Sequence, residues 1–222
     1  MTTTDQRQHV MTKGPPEVAA QPPPPPQPAP PPVQLWGNSA PLALAAFAMT
    51  TFLLSMINAG LVDKGIEPVV FGMALTVGGA TQLIAGLIQL RAGKTFAGVL
   101  FSGFGAFWLS FWAITQYYMA DVPKAQVGHA LGMYVFAWGA FIAWLWLASF
   151  RTNLVVNVAL VDLIVLFAVL GIGYYADIHG LVTTAGYLCL AAAAAAAYLS
   201  CAELCEDAYG RDVLPVGSLA KH

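Results

Sequence analysis

The stretch "NSAPLALAAFAMTTFLLSMINAGL", residues 38–61, decides the fold. At 1.5 Å per residue, about 20 apolar residues cross a hydrocarbon core of about 30 Å. Yet this run opens on Asn-Ser-Ala-Pro and carries Thr50, Thr51, Ser55 and Asn58 inside it. A helix that only anchors a protein needs none of these groups. A helix that lines a polar path or packs in a bundle does, because buried polar groups in lipid must face protein or water.

Five more apolar stretches follow: Val69–Leu90, Phe96–Met119, Gly128–Ser149, Leu154–Tyr175 and Leu181–Cys205, with the first one read as Ala40–Val62. Short connections join them, "DKGIEP" (63–68), "RAGKT" (91–95), "ADVPKAQV" (120–127), "FRTN" (150–153) and "ADIHG" (176–180), so helical hairpins are expected. A transmembrane β-barrel would need period-2 alternation, which is absent. The composition agrees: 58% hydrophobic and 9% charged, with mean hydropathy +0.68, against about 25% charged in soluble domains. The fold class is an all-α membrane protein with six transmembrane helices per protomer, and the lipid bilayer is its first partner. The formal net charge of -2 says little about partners, since most of the chain would be in lipid, and no nucleic-acid partner is expected.

Orientation follows from Lys and Arg. Arg7, Lys13, Arg91, Lys94, Arg151, Arg211 and Lys221 fall on one side, and only Lys64 and Lys124 on the other. The positive-inside rule then puts both termini in the cytoplasm, which an even number of spans also requires. The expected location is the cell membrane, multi-pass, and the cytoplasmic membrane if the source is bacterial.

The chain divides into a proline-rich cytoplasmic tail (1–35), a six-helix transporter domain (36–207) and a short cytoplasmic tail (208–222). The first segment holds 11 of the 15 prolines and almost no core formers, so it is expected to be disordered or polyproline II. Its P-x-x-P spacings also suit an SH3-type partner. No secretory leader is expected, because the first 34 residues lack an apolar h-region.

Glycines recur within the spans: Gly78, Gly79 and Gly86, then Gly98, Gly103 and Gly105, then Gly128, Gly132 and Gly139. With the alanine run 191–197 they point to closely approaching backbones and to contacts between subunits. Polar residues within the spans include Gln82, Gln89, Ser102, Ser110, Thr115 and Asn157. Ser and Thr can bond back to the carbonyl four residues earlier, so many of these hydroxyls need no further role. Asn58, Gln82 and Asp162 cost more in lipid and should face protein or water. Asp162 lies roughly 12 Å below the membrane surface, with no Lys, Arg or His at that depth. It is either a structural hydrogen-bonded carboxyl or a proton-coupling group. His129 and His179 lie at span edges. Cys201 and Cys205 share a helix face, but with no further ligand nearby they read, like Cys189, as small buried thiols, so no metal site is expected.

Without a deep cation, an anion in this bundle meets only amides, hydroxyls and helix N-termini. That suits a weakly held small solute, or a carboxylate moving with a proton. There is no H-E-x-x-H, nucleophile pair, P-loop or dinucleotide fingerprint, so no catalytic residues and no cofactor are expected.

Seven motifs stand in one order: "NSAPLAL" (38–44), "FGMALTVGGATQLIAG" (71–86), "GKTFAGVLFSGFGAFWLSF" (93–111), "LGMYVFAWGAF" (131–141), "SFRTN" (149–153), "AGYL" (185–188) and "LPVG" (214–217). In these the sequence resembles the acetate uptake transporter family, which includes bacterial succinate–acetate permeases and yeast ammonia/acetate export proteins. The resemblance covers about residues 36–218. It implies a six-helix protomer, usually in a homohexameric ring, that moves acetate and related short monocarboxylates, succinate among them, by proton symport. Small carboxylates and protons are then its partners. The family's narrowest point corresponds to Phe47, Phe104 and Leu163. The substrate-binding candidates are Asn38, Ser39, Ala40, Pro41, Leu42, Thr50, Thr51, Asn58 and Gln82, and the proton-coupling candidate is Asp162. Ser39 stands where the family has Pro, Ala43 where it has Gly, and Phe104 where Tyr is common, which bears on substrate preference. Asn38 or Ser39 caps the first helix, with Pro41 in its first turn, leaving free N–H groups as a first station for a carboxylate. The alternative reading is a passive channel for small neutral solutes such as undissociated acetic acid or ammonia. A scaffold or sensor that recruits a partner through residues 1–35 is the third.

Overall fold

The computed structural model describes residues 36–219, so the proline-rich tail with its P-x-x-P segment, and Arg7, Lys13 and Lys221, lie outside the described residues. Six helices are long and apolar enough to cross a membrane: α1 (Ala40–Asn58), α2 (Lys64–Arg91), α3 (Thr95–Asp121), α4 (Lys124–Ala148), α5 (Leu154–Tyr175) and α6 (His179–Tyr209). Among the described residues the only extended pairing is a single bridge between Asn153 and Ser218.

Local chemistry explains where each helix starts and stops. Pro41 sits in the first turn of α1, where no intrahelical donor is lost. The helix ends at Asn58 rather than at the expected Val62, because Gly60 turns the chain with a φ of 71°. Two connections expected as loops are partly helical. Asp63 accepts a hydrogen bond from the Gly65 N–H at 2.6 Å and caps a 3₁₀ turn over Lys64–Ile66, which runs straight into α2. Residues 119–126 hold two further 3₁₀ turns, separated at Pro123. The Asn153 side chain caps α5, accepting from the Val156 N–H at 2.8 Å. α6 runs to Tyr209, past position 207, and stops at Gly210 in the left-handed region. Its 31 residues extend roughly 46 Å, so it protrudes beyond the hydrocarbon core.

Each helix packs against its sequence neighbour, and α6 returns against α1. The contact between α3 and α4 is the thinnest around this ring. Arg91, Lys94, Arg151 and Arg211 therefore gather at one end, with the start of α1 and the end of α6, and Lys64 and Lys124 at the other. Large apolar side chains such as Leu42, Met49, Phe52, Ile84 and Val158 are exposed on the outside. That is the surface a lipid-facing bundle needs.

The glycines act where backbones cross. A Cβ on Gly86 would collide with the Ser102 backbone, and one on Gly105 with the Leu83 backbone, so α2 and α3 touch main chain to main chain. Gly186 lets α6 ride over Asn58 and Ala59 at the far end of α1. Between α4 and α5, the Asn157 amide donates to the Ser149 carbonyl at 2.9 Å and the Asn153 carbonyl at 3.0 Å, which fixes the hairpin turn.

Replacing Gly86 by Ala should force α2 and α3 apart and destabilise the protein by about 1–3 kcal/mol. Gly72→Ala, in the same helix but with open space around the new methyl, should be neutral or stabilising by about 0.5–1 kcal/mol. Thermal melting in detergent distinguishes the two. Equal melting temperatures would overturn the close-approach account.

Candidate functional site

Phe47 of α1, Phe104 of α3 and Leu163 of α5 converge on the middle of the bundle, none exposed by more than 8%. The Phe47 and Phe104 rings meet edge to face, with centroids 4.9 Å apart and an interplanar angle of 64°. Together with Gln82 of α2 they border a cavity of about 50 Å³. Its other walls include Leu44, Leu100, Val156, Ala192 and Leu199. On α1, α3 and α5 those wall residues precede Phe47, Phe104 and Leu163, and on α6 they lie toward its C-terminal end. The cavity therefore lies on the side where α1 begins, with these three side chains at its other end.

Gln82 is the only polar side chain on that wall. It is 1% exposed, and its Oε1 has no hydrogen-bond partner among the described residues. A buried polar atom left unpaired costs about 1–3 kcal/mol. By volume it holds about four water-sized groups, the scale of a two-carbon acid. No charged group lines it.

Leu199 separates this cavity from a vestibule of about 800 Å³ open at the same end. Asn38, Asn153, Glu203, Glu206, Asp207, Arg211 and Asp212 surround the vestibule. The tail closes one side of it. The Leu154 N–H donates to the Gly217 carbonyl at 2.8 Å and the Leu219 N–H to the Thr152 carbonyl at 2.9 Å. The Tyr198 hydroxyl donates to the Pro215 carbonyl at 2.8 Å. Donors at the N-terminus of α5 are thus taken by the tail.

The first turn of α1 is not the open anion station its sequence suggested. The Ser39 side chain makes no cap bond; its hydroxyl donates to the Ala85 carbonyl on α2 at 2.8 Å. Asn38 Oδ1 lies 3.1 Å from the Ala40 N–H, the Gln89 amide crowds the same donors, and Pro41 has no N–H. The side chain of Leu42 is 53% exposed on the outside of the bundle. Of the candidates at this end, Asn38 alone lines the vestibule, while Ser39, Ala40 and Pro41 are buried in packing.

The remaining candidates do not join the cavity. Thr50 and Thr51 are buried below it, their hydroxyls without a partner among the described residues, and Gly78 leaves room beside Thr50 and Trp108. Asn58 lies at the far end of α1. Ser55, Thr76 and Thr115 bond back to carbonyls one turn earlier, as expected. Asp162 is half-buried, its Oδ2 lacks a hydrogen-bond partner among the described residues, and it does not border the cavity that its neighbour Leu163 lines. His129 lies against Tyr175 at the surface, and no group of His, Cys, Asp or Glu able to hold a metal occurs among the described residues.

Two features escaped the sequence reading. Ala192, Ala196, Leu199 and Glu203 recur at helical spacing and form the α6 wall, a face hidden within a run of alanines. Gln82, Ala85, Gly86 and Gln89 repeat in the same way along α2, leading from the cavity to the mouth.

A family model described as the GPR1/FUN34/yaaH family matches residues 21–220. A succinate–acetate/proton symporter, SatP, of Escherichia coli (strain K12) is 35% identical over 183 residues, covering 81% of this chain and 95% of that protein. Acetate permease A of Emericella nidulans is 29% identical over 196 residues, covering 82% of this chain and 66% of its own. Ammonia transport outward protein 2 of Saccharomyces cerevisiae is 36% identical over 162 residues, 71% of this chain and 57% of that one. Among solved structures, that of the bacterial acetate channel SatP matches with TM-score 0.76 at 34% identity, covering 82% of this chain and 99% of the other. These relatives are named as transporters or channels, not enzymes.

Removing the hydroxyl that ties the tail to α6, with Tyr198→Phe, should loosen residues 213–219. Limited proteolysis should then cleave the tail several-fold faster than in the unaltered protein, while the helices stay intact. Unchanged cleavage would mean the pairing with residues 152–155 suffices alone.

Proposed function

The chain belongs to the GPR1/FUN34/yaaH family, whose motifs its sequence carries, and we propose that it moves acetate and related short monocarboxylates across a membrane. The observation that carries this reading is a small apolar cavity with one unpartnered amide, Gln82, against a gate of Phe47, Phe104 and Leu163. An ionised carboxylate would have to give up its water here without meeting a cation, which is costly. A protonated acid carries a donor and an acceptor on one carbon, and both can pair with a primary amide. The methyl of acetate then faces the aromatic gate. The proton thus crosses with the solute, either because a protein group hands it over or because the solute enters neutral.

Proton symport is the reading we adopt, with Asp162 as its coupling group, supported by the symporter among the relatives. A passive channel for undissociated acid is the second, favoured by the cavity's lack of charge and by the relative whose solved structure is called a channel. The resemblance further supports a homohexameric ring in the cell membrane.

Uptake of labelled acetate into proteoliposomes, with and without an imposed inward proton gradient, tests these readings. Concentration that an uncoupler collapses identifies the symporter; uptake that only equilibrates identifies the channel. Uptake no faster than in empty liposomes would overturn acetate transport. Gln82→Leu should lower the flux about tenfold, the equivalent of roughly 1.4 kcal/mol for one hydrogen bond. Asp162→Asn should weaken the dependence on the pH gradient; an unchanged profile would make Asp162 structural.

A further inference from the structure

We propose that Glu203 is a proton-binding site at the mouth of the bundle, linked through the side-chain amides of Asn38 and Gln89 to the first turn of α1. The proton site stands on geometry alone; its effect on flux rests on the acetate reading above.

Gln89 is 1% exposed, and one end of its amide is surrounded by four groups. Asn38 Oδ1 lies at 2.8 Å and Ser39 Oγ at 3.0 Å. The backbone nitrogens of Ala40 and Ser39 lie at 3.0 and 3.1 Å. Backbone N–H groups only donate, so they call for the amide oxygen of Gln89 at that point.

Glu203 makes the opposite demand. Its Oε2 lies 3.0 Å from Asn38 Nδ2. An ionised carboxyl only accepts, so it fixes the Asn38 nitrogen toward itself and turns the Asn38 oxygen toward Gln89. Gln89 must then present its own nitrogen, the same atom that the Ser39 and Ala40 N–H groups face. A charged Glu203 therefore leaves donor against donor in a buried place, with the Ala40 N–H held by Asn38 and the Ser39 N–H unpaired.

A proton on Glu203 gives both backbone donors an acceptor. The carboxyl becomes a donor to Asn38 Oδ1, the Asn38 nitrogen donates to Gln89 Oε1, and that oxygen also accepts from the Ser39 and Ala40 N–H groups. The two amides each turn by half a rotation; the Ser39 hydroxyl, 3.0 Å from Gln89 Oε1, turns to it from the Ala85 carbonyl, and the Asn38 nitrogen comes to lie 3.1 Å from the Ala40 nitrogen. Both backbone donors of the α1 first turn are then satisfied by α2.

The charged groups around Glu203 come from three elements. Lys94 in the α2–α3 connection and Arg211 in the tail attract its carboxylate. Glu206 and Asp207 on α6 and Asp212 in the tail repel it. An anionic solute in the same vestibule adds another repulsion, so its arrival and a proton on Glu203 favour each other.

Infrared titration of the purified protein in lipid tests the site directly. As pH falls, the unaltered protein should gain a protonated-carboxyl band that Glu203→Gln lacks and Glu206→Gln retains. Gln89→Leu keeps the acid but removes the amide that reads it, and should move the pH midpoint of that band. A band unchanged in Glu203→Gln, or a midpoint unmoved in Gln89→Leu, overturns the proposal. In proteoliposomes compared at equal acetate-anion concentration, the flux of Glu203→Gln should change less than about twofold across the pH range in which that of the unaltered protein changes several-fold. A several-fold change retained in Glu203→Gln also counts against it. If the unaltered protein carries no acetate, the acetate reading fails and the infrared result still decides the proton site.

Discussion

One neutral amide, Gln82, stands in an otherwise apolar chamber at the middle of the bundle, and on the proposed reading it sets the terms for what passes. Gln82 offers a guest hydrogen bonds but no charge, while Phe47, Phe104 and Leu163 close the way beyond it. An amide pairs well with a neutral carboxyl and poorly compensates an ion stripped of water. The chamber is held to its size by the close crossing of α2 on α3. Gly86 and Gly105 permit it, and it brings Gln82 within reach of the α1 and α5 walls. A looser crossing would widen the space and admit water, and the amide would no longer discriminate.

The helices and their pairing were legible because lipid imposes few solutions: about 20 apolar residues, satisfied internally and joined by short turns. The family resemblance named Phe47, Phe104 and Leu163, and the cost of an amide in lipid singled out Gln82; all four border one cavity. What stayed hidden depended on which helix lies opposite which. The Ser39 hydroxyl has its acceptor on α2, 46 residues away, and the Gln89 amide crowds the donors at the start of α1. A capping rule applied to one segment reads those donors as free, because it counts only groups near in sequence. The α6 wall was hidden for a different reason. In a run of seven alanines every face looks alike, so Ala192 and Ala196 carried no periodic signal until Leu199 and Glu203 were seen to continue their face.

The two compartments on the α1-starting side differ in kind, and Leu199 stands between them. The vestibule is wide, wet and rich in carboxylates; the cavity is small and apolar. Four acidic side chains against Arg211 lower the local concentration of anions and raise that of protons. A carboxylate solute is therefore disfavoured in its charged form at the vestibule and again at the cavity. Both steps push the same way, toward crossing as the acid. On the proposed reading, the mouth and the chamber would be successive stages of one protonation equilibrium, and selectivity for weak acids would need no deep cation. The tail belongs to that arrangement: residues 213–219 complete the vestibule wall while taking up the donors at the start of α5, which would otherwise offer an anion a place to stay.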